Sequence, residues 1–242
     1  MTTSLLPMTI KPEREQIDRA WSKAEKQAQL HLRSRGSNTT TSVAKTISQP
    51  WAKHVDPNVL GYLLSGILYF HQHPALWESE ILCLAADNEP YKSTEELQSH
   101  CDSLVQLIAL LPLTILPSCT ADVCRILASC GSHNAFGIRS GSVDGEEYMG
   151  YGVWPSASYF NHSCSDPNIV KQRNGGVWEF RAARDIEEGD QCCITYLGGD
   201  EKDLTVWERR ARLYEVWDFE CMCERCVHEA GSCPSQSVLS FA

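Results

Sequence analysis

The spacing of the last cysteine motif constrains this chain more than any other feature. Cys221, Cys223 and Cys226 form the pattern C-x-C-x-x-C, which lets three thiolates converge on one metal ion from a tight turn. A tetrahedral ion has one further corner, and Cys164, within the segment NHSC, is the best candidate for it. Four cysteines leave no open position, so we predict a structural zinc site that holds the C-terminal segment against NHSC.

The cysteines have two other interpretations. The motif has no accompanying redox signature, which favours zinc over an iron–sulfur cluster, and the remaining alternative is a set of unrelated buried thiols. The other cysteines from Cys83 to Cys193 are interpreted as small buried side chains.

Residues 1–11 lack the pattern of a secretory signal, and the apolar runs 59–70 and 104–116 are too short to span a bilayer. We therefore expect a protein of the nucleus, the cytoplasm or both, with reduced thiols and no membrane partner.

The charge balance indicates which partners to expect. The formal net charge is −10, and no stretch gathers five or six Lys or Arg residues. The chain therefore lacks the electrostatic footprint of a direct nucleic-acid binder. An acidic protein suits basic partners, and lysine-rich polypeptide tails are one such class.

The first half of the chain has the signals of helices. Residues 12–33 are rich in helix formers with few apolar positions, which predicts a solvated helix, and a polar linker follows over 34–48. The next helix begins after Asp56, a suitable N-cap, with Pro57 at the first helical position. These signals predict one helix on each side of the linker.

Two more helices are predicted before the sequence pattern changes from helical to strand-like. Ser93 and Glu96 have capping-box spacing, so a helix begins there, and Pro112 should end it. A further helix is predicted over 120–130, closed by Gly131. The first half is thus helical throughout.

The second half has the signals of short strands. Five β-like runs are separated by Gly, Asn and Asp, and residues 185–191 between the last two predict a hairpin-type connection. Residues 204–217 predict a helix that leads directly into the cysteine motif. Separate helical and strand-rich halves predict an α+β fold. The five runs are AFGIR, EYMGYGVW, SASYF, VWEFRAA and QCCITYL.

Five motifs of the second half follow one another in the order typical of a known family. They are NAFGI (134–138), YGVWPSASYFNHSC (151–164), SDPN (165–168), RDIEEGDQCCITY (184–196) and FECMCERC (219–226). The chain is similar in these motifs to SET-domain protein lysine methyltransferases, and in particular to the SET-and-MYND type. The resemblance implies transfer of a methyl group from S-adenosyl-L-methionine to a lysine of a protein substrate, histone or non-histone.

The resemblance also implies a role for each motif residue. By position, Asn134, Asn161 and His162 would hold S-adenosylmethionine, and Phe219 would pack on its adenine ring. Tyr196 would be the active-site tyrosine, which orients the lysine amine and the methyl group and also contacts the cofactor. The structural zinc would be bound by Cys164, Cys221, Cys223 and Cys226.

On this resemblance the chain divides into five segments. They are an N-terminal helix and linker (1–55), a helical insert subdomain (56–131), a SET core of short strands (132–200), a post-SET zinc-binding tail (201–230) and a disordered tail (231–242). Trp217 stands where related enzymes often have a tyrosine, and we expect it to alter the lysine channel and the number of methyl groups added.

Two parts of the family pattern have no match in this sequence. One is the N-terminal Gly-x-Gly turn that contacts the cofactor, and the other is the MYND zinc finger, since no cysteine precedes Cys83. The expected N-terminus is therefore incomplete for the family. This leaves a catalytically impaired SET-like protein-interaction module as the alternative function, and a plain zinc-binding protein as a third.

Overall fold

The computed structural model describes residues 11–36, 55–139, 147–174, 177–198 and 202–232. The chain forms two compact units, here named the helical unit (Met1–Ile138 and Met149–Pro155) and the strand unit (Arg139–Tyr148 and Ser156–Ala242). Most of the predicted linker at 34–48 and nearly all of the predicted tail at 231–242 lie outside the described residues. None of the described helices is both long and apolar enough to cross a membrane.

The described part of the helical unit consists of helices followed by one pair of strands. The helices are α1 (Arg14–Gly36), α2 (Pro57–Gln72), α3 (Pro74–Leu76), α4 (Thr94–Leu110) and α5 (Ala121–Asn134). A π-helical turn (Trp77–Ile81) continues α3 directly, and a 3-10 turn (Leu116–Ser118) precedes α5. Strand β1 (Ala135–Arg139) follows α5 without a loop and pairs with β2 (Tyr148–Val153).

The predicted caps of α2 and α4 are confirmed. The Asp56 carboxylate accepts a hydrogen bond from the Asn58 N–H at 2.7 Å, and a proline follows the cap. The Ser93 hydroxyl accepts from the Glu96 N–H at 3.1 Å, and α4 ends before Pro112. Each cap satisfies a backbone donor that the first helical turn leaves unpaired.

The prediction that Gly131 ends a helix is wrong. Helix α5 continues through it to Asn134. A Cβ at Gly131 would come within 2.9 Å of the Tyr62 hydroxyl oxygen, and that hydroxyl donates to the Leu127 carbonyl at 2.9 Å. The glycine therefore serves the close approach of α2 and α5, which the sequence signal of a C-cap does not distinguish.

The prediction of a solvated α1 is also wrong. One stripe of the helix is buried against α4, at spacings of four, three and four residues, and it consists of Ile17, Trp21, Ala24 and Ala28. The Trp21 indole N–H donates to the Tyr91 hydroxyl at 2.9 Å inside this core. Two alanines make the stripe weakly hydrophobic, so its periodicity is easily overlooked.

Helix α1 also closes the end of α4. The Arg35 guanidinium donates to the carbonyl oxygens of Ile108 (2.6 Å) and Leu111 (2.7 Å). Carbonyls of a last helical turn have no partner within the helix, and a cation there is stabilising.

Within its described residues, the strand unit contains two separate strand pairs and two helices. Strands β3 (Asn161–His162) and β6 (Cys193–Ile194) pair in parallel, and β4 (Ile169–Asn174) and β5 (Val177–Ala182) pair antiparallel. Helices α6 (Val206–Trp217) and α7 (Glu224–Ser232) follow. The predicted helix over 204–217 is confirmed as α6.

Three strand predictions need correction. The run SASYF contains a 3-10 turn (Ala157–Tyr159), and QCCITYL shrinks to the two residues of β6. Residues 185–191 do not form a hairpin, because β5 and β6 belong to different strand pairs. Strand β4 was not predicted and is the true partner of β5.

The Asn168 side chain holds the beginning of β6 in position through two hydrogen bonds to its backbone. Its Oδ1 accepts from the Cys193 N–H at 2.7 Å and its Nδ2 donates to the Gln191 carbonyl at 2.9 Å. This buried amide substitutes for a neighbouring strand at that point. The mixture of helices and short strand pairs agrees with the α+β class, while the division into five segments stays a prediction.

Candidate active site and metal centre

The four predicted cysteines meet in the strand unit. Their sulfur atoms all lie within 4.8 Å of one another, and those of Cys164 and Cys221 are 3.7 Å apart. A tetrahedron with zinc–sulfur bonds of about 2.3 Å has edges of about 3.8 Å. Three of the thiols are buried and that of Cys223 is half-buried. The donor set therefore fits zinc, and it is called the cysteine cluster below.

Local structure brings the C-x-C-x-x-C motif to Cys164. Helix α6 ends at Trp217, and Asp218 adopts a left-handed conformation (φ 58°) that turns the chain back. The Arg210 guanidinium donates to the Cys221 carbonyl at 3.1 Å and fixes the returning segment. Helix α7 then begins inside the motif, so Cys226 lies in its first turn.

The packed thiols change one another's acidity. The hydrogen bond from Cys164 lowers the pKa of Cys221, and the same bond raises the pKa of Cys164. Cys221 is therefore the thiol of this pair that loses its proton first. Metal ligands must be deprotonated, so a lowered pKa of Cys221 is compatible with a role as a metal ligand.

The structure adds a residue that the sequence interpretation missed. The Arg209 side chain is fully buried, and its Nη2 lies 3.4 Å from the Cys226 sulfur and 2.7 Å from a Glu229 carboxylate oxygen. Its Nη1 donates to the Leu204 carbonyl at 2.6 Å. Four thiolates around one divalent ion would carry a net charge of about −2, and this guanidinium would offset part of it.

A signal for Arg209 exists in the sequence. Val206, Arg209 and Leu213 occupy positions i, i+3 and i+7 of α6, and all three are buried. An arginine on the apolar stripe of a helix needs a buried partner. The stripe itself indicates the position, but the identity of the partner depends on the tertiary structure.

Four rings form one aromatic group beside the cysteine cluster in the fold. The Tyr196 ring centre lies 5.0 Å from that of Trp217, 5.2 Å from that of His162 and 6.2 Å from that of Phe219, which it meets edge-on. The structure therefore brings together His162, Tyr196 and Phe219, and the fourth ring belongs to Trp217, which the resemblance also singled out.

The Tyr196 hydroxyl has a defined partner. It donates to the Phe160 carbonyl at 2.7 Å, and the Phe160 ring stacks on that of Phe180 at 4.7 Å. Burial raises the pKa of Tyr196, so the phenol stays neutral at pH 7. A neutral, oriented hydroxyl can accept a hydrogen bond but is not a strong base.

The two predicted asparagines lie in different units. Asn161 is exposed on β3 beside His162, and its Nδ2 lies 3.4 Å from the Gln191 side-chain oxygen. Asn134 is buried in the helical unit, where its Nδ2 donates to the carbonyls of Ala85 (2.7 Å) and Cys130 (2.8 Å). The cofactor roles of both asparagines stay predictions.

Comparison with known proteins defines the class. Residues 11–197 match the SET domain, so the chain belongs to the SET-domain family. The family predicted from the motif order is thereby confirmed. The match also extends well before the first motif, into the helical unit.

The chain is similar in sequence to several lysine methyltransferases. The chain is 42% identical over 128 residues to the yeast (Saccharomyces cerevisiae) "Potential protein lysine methyltransferase SET6", which covers 52% of this chain and 34% of that protein. It is 45% identical over 93 residues to human "Histone-lysine N-methyltransferase SMYD3", covering 38% and 20%. Arabidopsis thaliana "Histone-lysine N-methyltransferase ASHR2" is 33% identical over 129 residues, covering 49% and 30%. The chain spans about a third or less of the length of these relatives.

Proposed function

We propose that this protein transfers a methyl group from S-adenosyl-L-methionine to a lysine side chain of a protein substrate. The observation that carries the proposal is the neutral, hydrogen-bonded Tyr196 hydroxyl within the aromatic group, beside the Asn161–His162 motif of a SET-domain chain. The names of the relatives support the same reaction class.

The residues of the aromatic group have two tasks in such a reaction. When bound, S-adenosylmethionine would supply a sulfonium methyl group for in-line displacement by the lysine nitrogen, with the electron pair of the broken S–C bond left on sulfur. Displacement of this kind requires alignment and exclusion of water. Trp217 and Phe219 flank Tyr196 and provide apolar walls, and the Tyr196 oxygen accepts a hydrogen bond from the amine.

The lysine must reach this site uncharged. With a free pKa near 10.4, deprotonation at pH 7 costs about 4.6 kcal/mol. An apolar surrounding favours the neutral amine. Since burial raises the pKa of Tyr196, the tyrosine orients the amine and does not take its proton.

We propose that the cysteine cluster holds a structural zinc ion. The fit of the four sulfur positions to a tetrahedron supports this assignment. Cys164 follows β3 directly and the other ligands follow α6, so the cluster ties the segment of Phe219 to the strand of His162. Its function here is to hold the aromatic group together and not to react.

We propose lysine-rich tails, histones first, as the substrate class to test. The net charge of −10 favours a basic partner, and two of the relatives are named histone-lysine methyltransferases. Such substrates occur in the nucleus and the cytoplasm, where we propose that the protein acts. Non-histone proteins with accessible lysines belong to the same chemical class.

The test is a methyl-transfer assay with purified, zinc-loaded protein. S-adenosylmethionine with a labelled methyl group is incubated with core histones and with a lysine-containing peptide array, and products are read by mass spectrometry. Tyr196→Phe should lower kcat about 100-fold, because misplacing the amine by a small distance has an effect of that order. Calorimetry measures cofactor binding separately.

Tyr214→Phe is the matched control. Tyr214 is exposed on α6 of the same unit, so its substitution should leave activity unchanged. Equal activity of wild-type protein and Tyr196→Phe would refute the assigned role. Folded, zinc-loaded protein that binds no cofactor would instead favour the protein-interaction module.

A further inference from the structure

We propose that His162 is a positioning residue that couples the cysteine cluster to Tyr196 through the two nitrogens of its imidazole. Nε2 lies 3.0 Å from the Cys164 sulfur, and Nδ1 accepts from the Tyr196 backbone N–H at 3.0 Å. The part of the inference that concerns catalysis rests on the proposed function, whereas the two contacts do not.

The geometry of the strand pair explains why a side chain makes this contact. In the parallel pair of β3 and β6, the Asn161 N–H donates to the Cys192 carbonyl and the Ser163 N–H donates to the Ile194 carbonyl. A regular ladder would next direct the Tyr196 N–H to the Ser163 carbonyl. It is directed to His162 Nδ1 instead.

The His162 ring therefore takes the place of the Ser163 carbonyl as acceptor for the Tyr196 N–H. This happens at the end of β3, where the segment with Cys164 begins. The replacement links the backbone of Tyr196 to a side chain whose other nitrogen faces a cluster sulfur. The ring also lies 5.2 Å from the Tyr196 ring and 6.1 Å from the Phe219 ring, between centres. Movement of Cys164 is thereby transmitted to the position of Tyr196.

The two contacts determine the tautomer of the neutral ring. Because Nδ1 accepts a hydrogen bond, it carries no proton, so Nε2 is the protonated nitrogen. Nε2 then donates to the Cys164 sulfur, which is a thiolate when it binds a metal ion. An N–H···S bond of this kind orients a metal ligand from the second layer of residues.

The first measurement uses the wild-type protein. Long-range proton–nitrogen NMR of zinc-loaded protein labelled with 15N-histidine should show the Nε2–H tautomer for the His162 signal, assigned by its loss in His162→Ala. The backbone amide proton of Tyr196 should be shifted downfield. A proton on Nδ1 would overturn the proposal without any need for a substituted protein to fold.

Two substitutions then separate the contacts. Asparagine places an oxygen near the position of Nδ1, so His162→Asn keeps an acceptor for Tyr196 and loses the donor to Cys164. Glutamine places a nitrogen near the position of Nε2, so His162→Gln does the reverse. His228→Gln is the control, because His228 is an exposed histidine of the same unit.

Each substitution has its own readout. In cobalt-substituted protein, His162→Asn should shift the thiolate-to-cobalt charge-transfer band and weaken zinc binding about 10-fold, whereas His162→Gln should leave both near the wild-type values. Conversely, His162→Gln should move the Tyr196 amide signal and lower kcat for methyl transfer about 10-fold with little change in KM.

The outcomes distinguish this inference from the proposed function. Unchanged cobalt spectra in His162→Asn together with an unmoved Tyr196 amide in His162→Gln would overturn the coupling. If both signals change as expected in a protein that transfers no methyl group, the coupling stands and the proposed reaction fails.

Discussion

Replacing Arg209 with methionine removes the buried cation beside the cysteine cluster at nearly constant side-chain volume. Three contacts are lost, to Cys226 (3.4 Å), Glu229 (2.7 Å) and the Leu204 carbonyl (2.6 Å). Removing one partner of a buried pair costs about 3–5 kcal/mol. Glu229 is about one-third exposed and keeps a second partner, so its carboxylate is not stranded.

The lower end of that range is therefore expected, about 3 kcal/mol, or roughly a 100-fold change in the folding equilibrium. Most of this cost falls on the half-buried Leu204 carbonyl and on the sulfurs of the cysteine cluster, which lose their counter-charge. Because the guanidinium contacts a metal ligand, zinc affinity should also fall about 10- to 100-fold.

Urea unfolding of zinc-loaded protein measures the first effect, and competition with a chromogenic chelator measures the second. Arg225→Met is the control, since Arg225 contacts the other oxygen of the same Glu229 carboxylate at 2.7 Å and is more exposed. Its loss should cost about 1 kcal/mol or less and leave zinc affinity unchanged.

The reasoning about Arg209 is refuted if Arg209→Met keeps its zinc and unfolds within about 1 kcal/mol of the wild-type protein. Equal losses in both variants would also refute it, because the effect would then come from Glu229 and not from the cluster.

Three further predictions concern the metal and the helical unit. A zinc chelator should lower the free energy of unfolding, and added zinc should restore it; thermal unfolding measures both changes. Gly66→Ala should destabilise by about 1–3 kcal/mol because its methyl group would lie 2.3 Å from Leu127, whereas Gly61→Ala, which meets nothing within 4 Å, should stabilise by about 0.5–1 kcal/mol in urea unfolding. Burial raises the pKa of Cys101 and that of Cys119 to about 12, so the folded state retains protons that the unfolded thiols lose above about pH 8.5. The free energy of unfolding should therefore fall as pH rises from about 8.5 to 12, by about 1.4 kcal/mol per thiol per pH unit, and stay flat if these thiols are exposed.

Local chemistry made much of this protein predictable. The N-caps Asp56 and Ser93 mark α2 and α4, because a side-chain acceptor and the backbone donors of one turn are close in sequence. The spacing of the cysteine motif likewise indicated three of the thiols that come together, and Cys164 was found through its place in NHSC. The stripe on α1 was missed because alanine contributes little to a hydrophobic pattern.

The amino-acid sequence by itself determined the starts of α2 and α4 and the C-x-C-x-x-C motif, since each depends on residue types at short, fixed spacings. The family followed from the order of the motifs along the chain. Only the tertiary structure decided that Arg209 faces Cys226 and that His162 contacts the backbone of Tyr196. The members of each pair are separated along the chain by a distance that carries no periodic signal. Which of the competing partners is chosen depends on burial and on the hydrogen bonds left unsatisfied after the whole unit has packed.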